Sequence, residues 1–366
     1  MAAEDTTFVS QELPASPARS SDNAANRARA RDPYFDNAKA ILIVLVVVGH
    51  AIERIDRGSA DTLYTWIYLF HMPAFVLVSG YLSRSFSGTP RQVASLISLL
   101  LAPYFLFQTV LALENWAFNG NDFALQLFVP TFSLWYLVAL LAWRLAIPLV
   151  RVMRHPMIFS IAVSVLSVLG GGISQELSGA RILSFLPFFT LGLMLTPQKI
   201  EAFTRLTSSL WVRAGIASLL VATLPVVYLG RDVIDRRWLY MYGQVEKFGL
   251  SEAENVLVRV MVLVVALAMT VAVLALVPRR RSAITVLGER TLEVYLLHTI
   301  ILYPLFPLIA SWPGWSWASV AVMVVAAVLL TFALSSPLAM KATRWLTHPL
   351  DAVRWGQSVF GRRPLP

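Results

Sequence analysis

The amino-acid sequence predicts an all-α polytopic membrane protein, with about ten transmembrane helices around a polar central cavity and both termini cytosolic. Three observations carry that prediction. Of 366 residues, 57% are hydrophobic and only 14% are charged, against about a quarter charged in a soluble domain. Apolar stretches near twenty residues recur along the chain, the length a helix needs to cross a bilayer. Basic residues collect in the connections on one side, as the positive-inside rule requires.

The spans read as roughly 37–55, 62–82, 93–114, 131–150, 156–172, 182–196, 211–229, 255–277, 284–309 and 316–338. The sixth is short and the ninth is polar at its start. Arg84, Arg91, Arg151, Arg154, Lys199, Arg205, Arg213 and the run Arg279–Arg281 lie on the cytosolic side by this reading. The opposite side holds 114–130, without a basic residue, the uncharged 310–315, and a mixed-charge loop at 230–254. Residues 1–30 have no apolar core and read as a disordered cytosolic tail, 31–340 as the transmembrane domain, and 341–366 as a basic cytosolic tail.

The net charge of +9 does not indicate nucleic acid, because topology accounts for the arginines. With no cysteine, a disulfide, a thiolate ligand and a cysteine nucleophile are all excluded. No metal site is expected, because the histidines lack a His-x-x-x-His or similar ligand spacing.

Ionisable groups inside a membrane mark function. On the first span Lys39 and His50 are eleven positions apart, hence on one helical face and separated by roughly 16 Å along the axis. Asp36, Glu53 and Arg54 share that face, within an arc of about 100°. One reading makes these four flanking charges interface markers; the other makes them part of a polar cavity with His50. Gly49, before His50, permits close approach of another backbone or a ligand. On the second span His71 precedes Pro73, which kinks the helix, and His71 suits either a structural hydrogen bond or chemistry. On the ninth, Thr291, Tyr295 and His298 line one face at i, i+4, i+7. In the 230–254 loop and beside it, Tyr228, Trp238, Tyr240 and Tyr242 form either a sugar-stacking surface or an interfacial aromatic belt.

The stretch Arg31-Asp-Pro-Tyr-Phe-Asp36-Asn-Ala-Lys39 to Gly49-His50, then Phe70-His71-Met-Pro73 to Ser79-Gly80-Tyr81, resembles two blocks of the membrane-bound acyltransferase family 3. This family includes bacterial O-acetylases of surface sugars and glycolipids. Leu134-Trp135-Tyr136-Leu137, Phe185 to Gly192, and Val294-Tyr295-Leu-Leu-His298 match further blocks in the family's order. The resemblance covers roughly 31–340 and departs in one place. Many members pair two arginines at the start of the third helix, and here Arg91 stands alone.

The resemblance implies acyl transfer, with acetyl as the expected group, from cytosolic acetyl-CoA or another acyl-CoA. The acceptor is a hydroxyl of an envelope sugar, glycan or glycolipid at the outer side of a bacterial inner membrane. It implies His50 as general base with Glu53, Lys39 and Asp36 in support. Arg84, Arg91 and Tyr81 would serve the CoA, and His71, Trp135, Tyr136, Tyr295 and His298 the acceptor. Direct transfer and an acyl-histidine intermediate both remain open. The rival class is a proton-coupled transporter or flippase of an envelope glycan or lipid, using the histidines as a relay.

Overall fold

The computed structural model describes residues 32–55, 58–120, 122–169, 176–241 and 249–350. The expected N-terminal tail, Tyr242 and the end of the basic tail from residue 351 lie outside the described residues.

Helix α1 (Pro33–Ile52) starts at Asp32, whose carboxylate accepts the Tyr34 amide at 2.9 Å, with Pro33 in the first turn. Both features favour a helix start. Beyond its first turn α1 is apolar almost all round and largely buried, so it is enclosed by other helices. It packs against α2 (Gly58–Tyr68), α3 (His71–Leu82), α12 (Thr285–Glu289), α13 (Thr291–Leu302) and α15 (Trp317–Leu334).

The second span is two helices. The chain turns at Leu69–Phe70, between α2 and α3, and the His71 ring donates from Nδ1 to the Ile67 carbonyl at 2.9 Å across the break. The third span joins α4 (Pro90–Leu96) to α5 (Ala102–Asn119) through a π-helical turn at Ile97–Leu101. Pro103, with no amide hydrogen, accounts for that widened turn.

Next come α6 (Trp135–Val152), α7 (Pro156–Leu166) and α8 (Gly179–Met194). Although α7 is short, it runs antiparallel along α8. Ser160 Oγ meets Thr190 Oγ1 at 2.7 Å, and Ser164 donates to the Ser184 carbonyl at 2.7 Å. Hydroxyl pairs of this kind join helices where no water competes. Helix α8 also crosses α3 closely at Gly80 and Gly192. A Cβ on Gly80 would run into the Phe189 carbonyl, and one on Gly192 into the Leu77 carbonyl.

After α9 (Pro197–Leu206), α10 (Leu210–Leu229) and α11 (Glu252–Leu276) lie at the periphery. Leu219, Val221 and Leu229 of α10, Val264 of α11, and Val322 and Leu329 of α15 are exposed. Large apolar side chains standing outward on apolar helices face lipid. The polar start of the expected ninth span forms the separate short helix α12 against α1, followed by α13, a 3-10 turn at Tyr303–Leu305 and α14 (Phe306–Ser311). Helix α16 (Pro337–Thr347) closes the described chain.

Nine of the described spans are long and apolar enough to cross a membrane, with α7 as the shorter tenth. The protein is an all-α multi-pass membrane protein. At the Lys39 end, arginines cap helix C-termini. Arg84 donates to Tyr81 and Leu195, Arg213 to Ala275 and Leu276, and Arg290 to Ser335. These carbonyls lie in or just past the last helical turn, where intrahelical donors run out, and a cation there also complements the helix dipole.

Candidate active site

His50 ends the polar face of α1 and opens onto a cavity of about 290 Å³, at the end of the bundle away from Lys39. Its Nδ1 is 3.2 Å from Glu53 Oε2 and 3.4 Å from the Tyr68 hydroxyl. A carboxylate can only accept, so Glu53 favours the tautomer with hydrogen on Nδ1, leaving Nε2 as the basic nitrogen. Both side chains are largely enclosed, at 12% and 19% exposure. Gly49 eases the close approach of Tyr68, because a Cβ there would lie 3.3 Å from the Tyr68 ring.

Two rings hold the imidazole. His298 of α13 stacks on His50 at 5.4 Å with the planes 20° apart, and Phe132 lies 4.4 Å away on another side. Phe132 has φ of 53°, a left-handed conformation that is unfavourable for a bulky residue and clusters at functional sites. His298 donates from Nδ1 to the Val294 carbonyl at 3.2 Å, and its Nε2 is buried without a partner.

The cavity wall is aromatic. Tyr64, Tyr68, Trp135, Phe185, Tyr240 and Phe306 line it together with His71. Tyr64 stacks on Tyr68 at 4.1 Å and donates to the Tyr240 hydroxyl at 2.8 Å. Tyr240 follows a short turn in which Asp235 accepts from Arg237. That hydrogen bond, opposed by burial, holds the Asp235 carboxyl below its usual range. Arg181 enters from α8, with its guanidinium 4.8 Å from the Trp135 ring and its Nε donating to the Tyr240 carbonyl. Arg54 lies over Phe306 at 5.1 Å.

Of the residues expected at the site, His50, Glu53, His71 and Trp135 line this cavity. Tyr136 and Tyr295 sit behind it. Tyr136 hydrogen-bonds Ser79, and Tyr295 donates to the Ser133 carbonyl. They brace the helices around the site, because their hydroxyls are engaged away from the cavity. Among the aromatics expected in the outer loop, Tyr240 lines the cavity and Tyr228 does not.

Lys39 and Asp36 form a 2.8 Å ion pair near the other end of α1. Beside them Phe35 stacks on Tyr81 at 4.1 Å, and Arg84 covers Tyr81 at 3.6 Å. Asn37 donates to the carbonyls of Pro278 and Arg280 and accepts from Thr285 at 2.7 Å. Arg91 is exposed on α4. The Lys39 cluster and the His50 cavity are thus two separate sites on one helix. Among the described residues, no group of three His, Cys, Asp or Glu side chains could hold a metal ion.

A multi-pass helical bundle with a histidine–carboxylate pair opening on an aromatic cavity defines a membrane protein with a candidate catalytic pair. The family comparison makes the class specific: the acyltransferase domain of the acyltransferase 3 family matches residues 32–336, and the chain belongs to that family. The nodulation protein NolL of Sinorhizobium fredii (strain NBRC 101917 / NGR234) is 43% identical over 67 residues, 17% of this chain and 18% of that protein. NolL of Mesorhizobium japonicum is 45% identical over 58 residues, 14% and 16% of the two chains. Less than a fifth of either relative is therefore matched. No solved structure matches.

Proposed function

We propose that the protein moves an acyl group, acetyl in the simplest case, from acyl-CoA to a hydroxyl of a cell-envelope sugar, glycan or glycolipid. The observation that carries this reading is the His50–Glu53 pair on the aromatic cavity. Nε2 of His50 takes the acceptor proton as the hydroxyl oxygen attacks the thioester carbonyl. The C–S bond breaks, the CoA thiolate leaves, and the proton held by His50 passes to it. Glu53 orients the imidazole and stabilises the imidazolium, and His298 and Phe132 fix its plane.

The positive-inside rule supports a cytosolic Lys39 end and an outward-facing His50 cavity in a bacterial inner membrane. CoA would then approach beside Lys39, Asp36, Tyr81 and Arg91, with its thioester arm reaching toward His50 while its phosphates stay in water. The acceptor sugar would meet the ring faces of Trp135, Tyr68 and Tyr240.

The test uses purified protein in lipid nanodiscs with radiolabelled acetyl-CoA and an envelope glycolipid extract. His50→Ala should abolish label transfer while keeping the wild-type melting temperature. Transfer at the wild-type rate by that variant would overturn the assignment. Mass spectrometry of envelope lipids and glycans from a deletion strain would then identify the acceptor by its missing acyl mass.

A further inference from the structure

His298 carries a buried nitrogen that the transfer step at His50 leaves unused. The side chain is fully enclosed, and its Nδ1 donates to the Val294 carbonyl at 3.2 Å. A carbonyl can only accept, so the hydrogen sits on Nδ1 and Nε2 is a bare acceptor. Among the described residues no donor reaches that nitrogen. An enclosed acceptor without a donor is unfavourable, and a bound N–H or O–H group would satisfy it. Ser133 supplies a second atom of this kind. It is enclosed, and its Oγ has no partner among the described residues. The two residues share a ring cluster: Tyr295 donates to the Ser133 carbonyl, and its ring lies 5.9 Å from that of His298. Phe132, next to Ser133, is 6.2 Å from His298.

The depth of His298 decides which substrate it can meet. Gly288 of α12 sits against the backbone of α1, where a Cβ would run into the Asp36 carbonyl. From that level His50 is fourteen positions along α1, whereas His298 is ten positions beyond Gly288. At 1.5 Å per residue the four-residue difference sets His298 roughly 6 Å nearer the Lys39 end. The cavity agrees with this placement, because His50 lines it and His298, stacked on His50, does not. His298 therefore lies behind His50, on the side from which the proposed donor comes. The arm of acyl-CoA is mostly methylene, interrupted by secondary amides. The amide nitrogen nearest the sulfur is four bonds from the thioester carbonyl carbon, roughly 5 Å when extended. The His50 and His298 rings are 5.4 Å apart. An amide held at His298 would thus set the thioester carbon beside His50.

We propose that His298 and Ser133 hold the donor's amide nearest the sulfur, with His298 Nε2 accepting its N–H and Ser133 Oγ donating to its carbonyl. The proposal rests on the acyltransferase reading and names the donor subsite within it. It gives His298 a donor-binding role in place of the acceptor role that the family resemblance implies. The pair selects thioesters carried on an amide-bearing arm, and it fixes how far that arm advances.

The test compares acetyl-CoA with an analogue in which an ester oxygen replaces that amide N–H, the phosphates, carbonyl and thioester being kept. Label transfer to the envelope glycolipid extract is measured with the full chain in nanodiscs, for wild type, His298→Phe and Ser133→Ala. Wild type should use acetyl-CoA at least about tenfold better in kcat/KM, because the ester turns an acceptor toward Nε2. His298→Phe keeps a ring against His50. It should lower kcat/KM for acetyl-CoA about tenfold and erase the preference, with the acceptor KM within about twofold of wild type. Ser133→Ala should lower kcat/KM for both donors about fivefold and keep the preference. Its melting temperature should match wild type, so it remains informative if His298→Phe does not fold.

Equal use of the two donors by wild type, a preference that survives His298→Phe, or wild-type kinetics in Ser133→Ala overturns the proposal. A purely structural role for His298 would depress both donors alike and leave the preference intact. A role in the acceptor site would move the acceptor KM. Either result refutes the donor assignment. Absence of label transfer from acetyl-CoA by wild type would refute the acyltransferase reading itself, whereas transfer with equal use of both donors would refute this subsite alone.

Discussion

Replacing Glu53 by Gln removes one charge and little volume from the site. If His50 accepts a proton during transfer, the imidazolium forms 3.2 Å from the Glu53 carboxylate. At an effective dielectric constant of about 20, Coulomb's law gives about 5 kcal/mol at that separation, an upper bound. Both side chains keep some contact with solvent, and hydrogen bonds to charged groups measure about 1.5–3 kcal/mol. The glutamine still offers a neutral acceptor, so the net loss should be about 1–2 kcal/mol, or about 5- to 30-fold in kcat. The KM for acyl-CoA should stay within about twofold, because uniform binding is untouched and the proposed donor entry lies at the Lys39 end. Initial rates of radiolabelled acetyl transfer in nanodiscs at saturating acceptor check both numbers. A Glu53→Gln enzyme with wild-type kcat, or one altered in KM alone, would refute the role given to the carboxylate.

Gly192→Val should lower stability by at least about 2 kcal/mol, because its side chain would overpack against the Leu77 carbonyl; thermal unfolding followed by size-exclusion chromatography measures this. Tyr295→Phe removes the hydroxyl that donates to the Ser133 carbonyl. It should cost about 1 kcal/mol of stability and leave the KM for acceptor near wild type, because Tyr295 lies behind the cavity. Arg84→Gln should reduce thermal stability by about 1–2 kcal/mol through loss of the bonds to Tyr81 and Leu195. Arg91→Gln, at an exposed position, should instead raise the KM for acyl-CoA about threefold with no change in melting temperature. The pair separates a helix-capping arginine from one proposed to bind the donor.

The first helix was legible because its charges share a face. Asp36, Lys39, His50 and Glu53 follow a helical period in an apolar run, and the structure keeps Asp36 with Lys39 and His50 with Glu53. Tyr64 and Tyr68 were readable in principle: with His71 they repeat the i, i+4, i+7 spacing noted for Thr291, Tyr295 and His298. The break at Leu69–Phe70 preserves that alignment, and both tyrosines line the cavity. Phe132 and Arg181 left no comparable signal. Each precedes or begins a span and reaches the cavity through tertiary packing, Phe132 by a left-handed backbone and Arg181 by lying on Trp135. Tyr136 and Tyr295 illustrate the converse. Their motifs were visible, but whether a tyrosine faces a cavity or braces its wall depends on the partner of its hydroxyl, which lies far away in sequence.

The packing at the Lys39 end of the bundle bears on the energetics of the cell as well as on catalysis. Asn37 ties α1 to the Pro278–Thr285 connection, Phe35 stacks on Tyr81, and Tyr34 donates to the Leu274 carbonyl. Together these contacts tie α1 to its neighbours at the Lys39 end. A continuous wet channel through such a protein would short-circuit the ion gradient across its membrane. On the proposed function, a donor arm entering beside Lys39 would have to pass these contacts without opening a wet path, much as a gasket admits a shaft while retaining pressure. On that proposal Asn37 and Phe35 would serve the seal between the two sides rather than the transfer step itself.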